Sequence, residues 1–235
     1  MNWIDYLPLA EKTLSTQFNC QDEFYQKILH AVIGSLTEVE EILENYENGE
    51  LMVDVNKQGS IAEESADIFW YLSILFRELN IRNYNYTLPK VISRQTKPDN
   101  FNIDTPFNTL LSFTKVSLKF LDLLKKKIYY NKDISNEVMI DLSIKLHALL
   151  THFCNQYNAD IDQILEKNIA KLKARYGEKF SSDKAINRDL ETERKILEGK
   201  PVKMIDASIF PSEGQLYLDG MGINRRTDTT SHYLD

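Results

Sequence analysis

The chain has 235 residues, 43% of them hydrophobic and 27% charged, a composition typical of a globular protein in water. Its formal net charge of −7 argues against a nucleic-acid binder with a basic surface, and no apolar run approaches the roughly 20 residues that span a bilayer. The N-terminal segment lacks the features of a signal peptide, and two cysteines are too few for a disulfide framework, so we expect a cytoplasmic protein without membrane or nucleic-acid partners.

Apolar residues recur with helical spacing through most of the chain. Six prolines and eight glycines occur, several of them where helices should begin or end, and this favours an all-α helical bundle. Pro8, in the first predicted helix, is compatible only with an early turn or a break. In chain order the predicted helices cover residues 2–16, 22–47, 60 to about 80, 106–130, 134–157, 161–177, and 181 or 182 to 199.

Several predicted helices carry capping residues at their ends. Thr105 is a good N-cap and Pro106 suits the first helical position. Ser60 and Glu63 are spaced as a capping box, which is why a metal-binding role is assigned below to Glu64 rather than to Glu63. The remaining predicted caps and stops are Asp22, Asp160, the Asn48-Gly49 pair and Gly177.

Two stretches interrupt the helical pattern. Residues 81–104 look irregular and are interpreted either as a lid or excursion around a site, or as a packed surface loop. Residues 200–235 are glycine-containing and polar, and we expect an extended tail that is loose or wrapped over a neighbouring subunit. The chain is therefore divided into a helical domain, residues 1–199, and a C-terminal tail, residues 200–235.

Two acidic pairs lie within the second and third predicted helices. Glu38 and Glu41 are three residues apart, as are Glu64 and Asp67, so each pair lies on one face of its helix. If the two helices pack as an antiparallel pair, four carboxylates converge beside the core and repel one another. A hard divalent cation such as Mg²⁺ relieves that repulsion.

Less specific interpretations of the acidic residues are also open. Acidic pairs at helical spacing are common on solvated faces, and Glu40 and Glu44 are interpreted that way. Glu41 and Glu44 form a second Glu-x-x-Glu register. A di-iron carboxylate centre is disfavoured because no histidine has a glutamate three positions before it.

The spacing of the two pairs, Glu-x-x-Glu, 22 residues, then Glu-x-x-Asp, resembles the motif of the all-α nucleoside triphosphate pyrophosphohydrolases, the MazG-like family. A second part of the resemblance lies in the segment KNIAKLKARYGEKF, whose positions Asn168, Lys171, Arg175 and Tyr176 are similar to the family's Lys/Asn, Lys and Arg-aromatic pattern. Asn168, Lys171 and Arg175 share one helical face. Together the two parts cover roughly residues 20–199.

The resemblance implies a four-helix core with extra helices, and hydrolysis of (deoxy)nucleoside triphosphates to the monophosphate and pyrophosphate. It implies Mg²⁺, or Mn²⁺, as cofactor, and a homodimer or homotetramer as the assembly. Glu38 or Glu41 would be the general base, and the spacing does not distinguish them. The implied metal ligands are Glu38, Glu41, Glu64 and Asp67, and the implied substrate-binding residues are Asn168, Lys171, Arg175 and Tyr176.

Three alternatives accompany this interpretation. The chain could be a non-catalytic helical bundle that binds a nucleotide or a partner protein and has kept the acidic face. The helix that carries Lys171 and Arg175 could be a surface helix with ion pairs along its length. Trp70 and Tyr71 follow the second acidic pair, where one of them could stack on a base or both could pack in the core.

Overall fold

A computed structural model of the chain describes residues 2–52, 55–82 and 101–177, together with residues 181, 183 and 187. The part of the chain that it describes is mostly helical, with one two-stranded antiparallel sheet, and this confirms the predicted all-α class. The elements are α1 (Trp3–Glu11), α2 (Glu23–Leu43), β1 (Tyr46–Glu47), β2 (Glu50–Leu51), α3 (Val55–Glu78), α4 (Pro106–Tyr130), α5 (Asn136–Gln156) and α6 (Ile161–Tyr176).

Four of the helices form the bundle. Helix α2 packs on α3 and α4, α5 packs on the same two helices, and α6 packs on α3. The contacts Lys27–Glu78, Gly34–Tyr71 and Glu41–Glu64 run in opposite order along α2 and α3, so these two helices are antiparallel. The end of α2 therefore lies beside the first half of α3, as the acidic pairs require.

The core lies between these four helices. Each contributes large apolar side chains that are almost wholly buried, and each such side chain adds about 1.5–3 kcal/mol to the free energy of unfolding. Among them are Ile28, Val32 and Ile42 of α2, Ile61, Ile68, Leu72 and Leu75 of α3, Phe113, Phe120 and Leu124 of α4, and Leu142, Leu146, Leu149 and Phe153 of α5. None of the described helices is long and apolar enough to cross a membrane.

The predicted N-caps of α2, α4 and α6 are confirmed. Asp22 Oδ1 accepts a hydrogen bond from the Phe24 amide at 2.9 Å. Thr105 Oγ1 accepts one from the Asn108 amide at 3.2 Å, with Pro106 in the first turn. Asp160 caps α6 in the same way, and Gly177 ends that helix with a φ of 69°.

The predicted end of α2 is wrong. The helix stops at Leu43, and the Asn48-Gly49 pair is the turn of a β-hairpin in which Tyr46 pairs with Leu51 and Glu47 with Glu50. Asn48 and Gly49 have φ values of 54° and 83°. Both a helix stop and a tight hairpin turn need positive φ, so the same two residue types serve either structure.

The predicted capping box at Ser60 and Glu63 is also wrong, because α3 begins at Val55 and runs through Gly59. A glycine inside a helix costs about 1 kcal/mol relative to alanine. The following residues Ile61 and Ala62 are buried, so the core contacts of α3 begin just after this glycine.

The first helix is shorter than predicted, and it continues through Pro8 beyond its first turn. The expectation that Pro8 lies in an early turn or at a break is therefore wrong. Proline costs the helix one backbone hydrogen bond, and α1 ends three residues later at Glu11. Residues 83–100 of the irregular connection, nearly all of the last predicted helix, and the tail lie outside the described residues.

Candidate functional site

Three carboxylates meet where the end of α2 lies beside α3. Glu38, Glu41 and Glu64 each offer a carboxylate oxygen, and these oxygens lie within 4.8 Å of one another. Glu38 and Glu41 are neighbours on one face of α2 because they are three residues apart, and the antiparallel packing brings Glu64 opposite them. Glu38 and Glu41 are thus the pair that reaches α3. Glu40 and Glu44 are exposed and do not belong to the cluster.

Burial of these carboxyl groups changes their acidity. Glu64 is 9% exposed and Glu38 is half-buried, while Glu41 is exposed. Burial raises the pKa of Glu38 to about 7, assisted by the negative charges of Asp67 and Glu41. Burial also raises the pKa of Glu64 to about 8, assisted by the charges of Glu63 and Glu41. Glu38 and Glu64 share a hydrogen bond, so without a cation the pair retains a proton near neutral pH.

The donor set of this cluster fits a hard divalent cation. Mg²⁺ and Mn²⁺ prefer carboxylate oxygens and keep several waters, and three carboxylates from Glu38, Glu41 and Glu64 provide such ligands on one side of an accessible surface. A bound divalent cation would also displace the proton that Glu38 and Glu64 share. These three glutamates are the residues of the chain best placed to hold a metal ion within the described part.

Asp67, the fourth predicted ligand, borders the cluster and is held by α6. Its Oδ1 accepts a hydrogen bond from Asn168 Nδ2 at 2.5 Å, and its Oδ2 accepts one from Lys171 Nζ at 2.6 Å. Both carboxylate oxygens therefore already have protein donors. A direct contact between Asp67 and a metal stays a prediction.

Lys171 is the most deeply placed charge near the site. Its side chain is 1% exposed and its ammonium lies 2.6 Å from Asp67 Oδ2 and 3.1 Å from Glu63 Oε1. Glu63, which the sequence had suggested as a capping residue, is thus a partner of Lys171. The signal for this role was its spacing, because Glu63 lies four residues before Asp67 and so on the same face of α3.

Asn168 is 4% exposed and reaches Asp67 as Lys171 does, so both lie on the face of α6 that packs on α3. Arg175 and Tyr176 are half-buried at the end of α6, and the guanidinium carbon of Arg175 lies 5.7 Å from the centre of the Tyr176 ring. No nucleotide contact of these four residues has been tested, and their substrate-binding roles stay predictions.

Tyr71 forms part of the wall beside the acidic cluster. Burial raises the pKa of its phenol, and the charges of Glu38 and Asp67 raise it further. A Cβ atom on Gly34 would lie 2.2 Å from two atoms of the Tyr71 ring, so the ring rests directly on the backbone of α2. Sequence reasoning missed this role of Gly34, although an isolated glycine inside a predicted helix indicates close approach of another group. Trp70, beside it, is 39% exposed.

Comparisons of the chain with protein-family models, with curated proteins and with solved structures found no match. The resemblance to the MazG-like family therefore depends on the residues and spacings described above.

Proposed function

We propose that this protein hydrolyses (deoxy)nucleoside triphosphates to the monophosphate and pyrophosphate with Mg²⁺, or Mn²⁺, as cofactor. The observation that carries the proposal is the convergence of Glu38, Glu41 and Glu64 from two helices. Gathering three carboxylates beside a core is unfavourable unless a cation offsets their charge. An anhydride hydrolase of this class needs such a cation to neutralise the phosphate oxygens and to activate water.

The residues of the site have separate roles in the proposed hydrolysis. Glu38, which is half-buried, or Glu41, which is exposed, is the general base in this proposal. Arg175 contacts the triphosphate through its planar guanidinium, and Tyr176 lies beside it. Asn168 and Lys171 act on the site through Asp67.

A second candidate function is a non-catalytic bundle that binds a nucleotide or a partner protein. One observation favours it. The proton shared by Glu38 and Glu64, together with the ammonium of Lys171, already offsets part of the negative charge of the cluster. In this alternative the acidic face is retained for structure rather than for hydrolysis.

We also propose that the protein is a homodimer or homotetramer. Phe18, Ile33 and Leu118 are exposed by 61%, 45% and 53%. Phe18 and Ile33 line two adjoining apolar recesses of about 380 and 440 Å³, and Leu118 lines the larger one, which lies between α2 and α4. Contiguous exposed apolar side chains of this kind are typical of interfaces.

We propose a cytoplasmic location, since Cys20 and Cys154 are both free thiols.

A pyrophosphate-release assay separates the two candidate functions. The full chain is incubated with each of the eight common (deoxy)nucleoside triphosphates, with Mg²⁺ and with a chelator. Metal-dependent release of pyrophosphate from at least one nucleotide supports the hydrolase and identifies its substrate. Nucleotide binding without release would favour the non-catalytic bundle.

A further inference from the structure

The ammonium of Lys171 lies between two carboxylates that border the acidic cluster. It is fully enclosed, with the side chain 1% exposed, and it bridges carboxylates of two successive turns of α3, Glu63 and Asp67. Burying an unpaired ammonium is strongly unfavourable. The two ion pairs offset this cost, so the position of Lys171 is fixed by the carboxylates around it.

The charges near the site show what this lysine does. Five carboxyl groups of α2 and α3 lie at or beside the site, namely those of Glu38, Glu41, Glu63, Glu64 and Asp67. They form two subsets. Glu38, Glu41 and Glu64 bring oxygens within 4.8 Å of one another, whereas Glu63 and Asp67 both contact Lys171. The positive charge of Lys171 also acts on Glu38 in the first subset.

The second subset is poorly suited to a divalent ion while Lys171 is present. Asp67 Oδ2 is 2.6 Å from Nζ, and Asp67 Oδ1 is 2.5 Å from Asn168 Nδ2. A divalent cation bound to Asp67 would lie within a few ångström of the ammonium, and like charges that close together repel strongly where little solvent screens them. Paired metal ions in phosphoryl-transfer sites lie about 3.5–4 Å apart and share carboxylates. Lys171 provides a fixed positive charge in the place of one of them.

We propose that Lys171 is a built-in cation that substitutes for a second divalent ion, so that each chain binds one divalent cation at Glu38, Glu41 and Glu64 while Asp67 anchors Lys171. The inference rests on the proposed function, because it concerns the same metal site. In the absence of nucleotide, each chain then binds a single divalent cation, and Asp67 positions Lys171.

The test is a titration of the full chain with Mn²⁺ in the absence of nucleotide. Calorimetry gives the stoichiometry and Kd, and electron paramagnetic resonance distinguishes an isolated Mn²⁺ from a spin-coupled pair. The wild-type protein is expected to bind one isolated Mn²⁺. Lys171→Met is expected to bind a second Mn²⁺ and to show the spectrum of a coupled pair, with the Kd of the first ion about tenfold lower because a nearby positive charge is gone. Lys173→Met, an exposed lysine on the same helix, is the matched control and should behave as wild type.

Asp67→Asn keeps the test decisive if Lys171→Met does not fold. Asparagine has the same shape and can still accept a hydrogen bond from Lys171. This variant is expected to bind one Mn²⁺ with a Kd raised by at most about tenfold, because one nearby negative charge is lost, whereas Glu64→Gln, which loses a ligand, is expected to raise the Kd at least a hundredfold. Two Mn²⁺ ions in the wild-type protein, or a loss of binding by Asp67→Asn as large as that by Glu64→Gln, would overturn the inference while leaving the proposed hydrolysis intact. A wild-type chain that binds no Mn²⁺ would overturn both.

Discussion

Tyr71 and Gly34 are in such close contact that no side chain larger than hydrogen fits at position 34 without displacing the ring. An added Cβ would lie 2.2 Å from two ring atoms of Tyr71 and 2.7 Å from a third. The ring in turn borders the acidic cluster, since the charges of Glu38 and Asp67 act on its phenol. The geometry of the site thus depends on a glycine in the middle of α2.

Gly34→Ala should therefore destabilise the protein, although alanine is the better helix former by about 1 kcal/mol. Overpacking typically costs about 1–3 kcal/mol, so we expect a net loss of about 0–2 kcal/mol in the free energy of unfolding, measured in urea. The control is the same substitution in a Tyr71→Ala background, where the space is available and alanine should stabilise by about 0.5–1 kcal/mol. An equal effect in both backgrounds would show that the Tyr71 ring does not cause the strain.

The stability of the metal-free protein should fall as the pH rises through the neutral range. The folded-state pKa values of Glu38 and Glu64, about 7 and about 8, lie above the ordinary value of 4.5, so between these values the folded state binds more protons than the unfolded state. The stabilisation is complete below about pH 4.5 and is lost as the pH rises to about 8. After allowance for solvent screening we expect a decrease on the order of 1–3 kcal/mol.

Urea denaturation between pH 5 and pH 9 in the presence of a chelator measures this dependence. Glu64→Gln, which cannot ionise, should flatten the curve relative to the wild-type protein. Saturating Mg²⁺ should restore stability above pH 8, because a cation that binds only the folded state stabilises it. Parallel curves for the wild-type protein and Glu64→Gln would show that the pKa of Glu64 is not raised in the folded state.

Arg175→Ala tests the basic end of α6. A charge-assisted contact to a phosphate in a partly closed site is worth on the order of 1.5–3 kcal/mol, so the substitution should lower kcat/KM by roughly tenfold to a hundredfold. Mn²⁺ affinity without nucleotide should stay within about twofold of wild type. Unaltered kinetics would remove Arg175 from the substrate site, and weakened metal binding would mean that it supports the carboxylates instead.

The apolar surface between α2 and α4 should be an interface between copies of the chain. Leu118 is 53% exposed there, and a glutamate in its place would bury a charge in any interface that covers it. Leu118→Glu should convert the oligomer into monomers, as measured by light scattering coupled to gel filtration. Leu165→Glu, at a comparably apolar and 38% exposed position on α6, is the control and should leave the mass unchanged. A monomeric wild-type protein would contradict the proposed assembly.

Local signals were sufficient to predict much of this fold. Asp22, Thr105 and Asp160 each cap a helix within three residues of themselves, and such contacts depend on neighbouring sequence alone. Asn48-Gly49 was misinterpreted because positive φ serves both helix ends and hairpin turns. The false capping box at Ser60 had the required spacing, but the helix begins five residues earlier, at Val55.

Local spacing along the sequence was also sufficient to predict part of the candidate site. The spacings of Glu38, Glu41 and Glu64 indicated a shared face on each helix, and the structure brings these three together. The pairing of Lys171 with Glu63 joins residues 108 positions apart, and only the packing of α6 on α3 produces it. The resemblance to the MazG-like family implied a substrate contact for this lysine, whereas its burial could be known only from the fold.

The proposed metal site of a nucleotide hydrolase consists of Glu38, Glu41 and Glu64. The most direct measurement compares Mg²⁺-dependent pyrophosphate release by two variants, Glu64→Gln and Glu40→Gln, with circular dichroism confirming that both are helical. Glu40→Gln is an equal change at an exposed position next to Glu41. We expect Glu64→Gln to lose at least a hundredfold in kcat/KM and Glu40→Gln to stay within about twofold of wild type. Equal turnover by the two variants at saturating Mg²⁺ would contradict the proposed site.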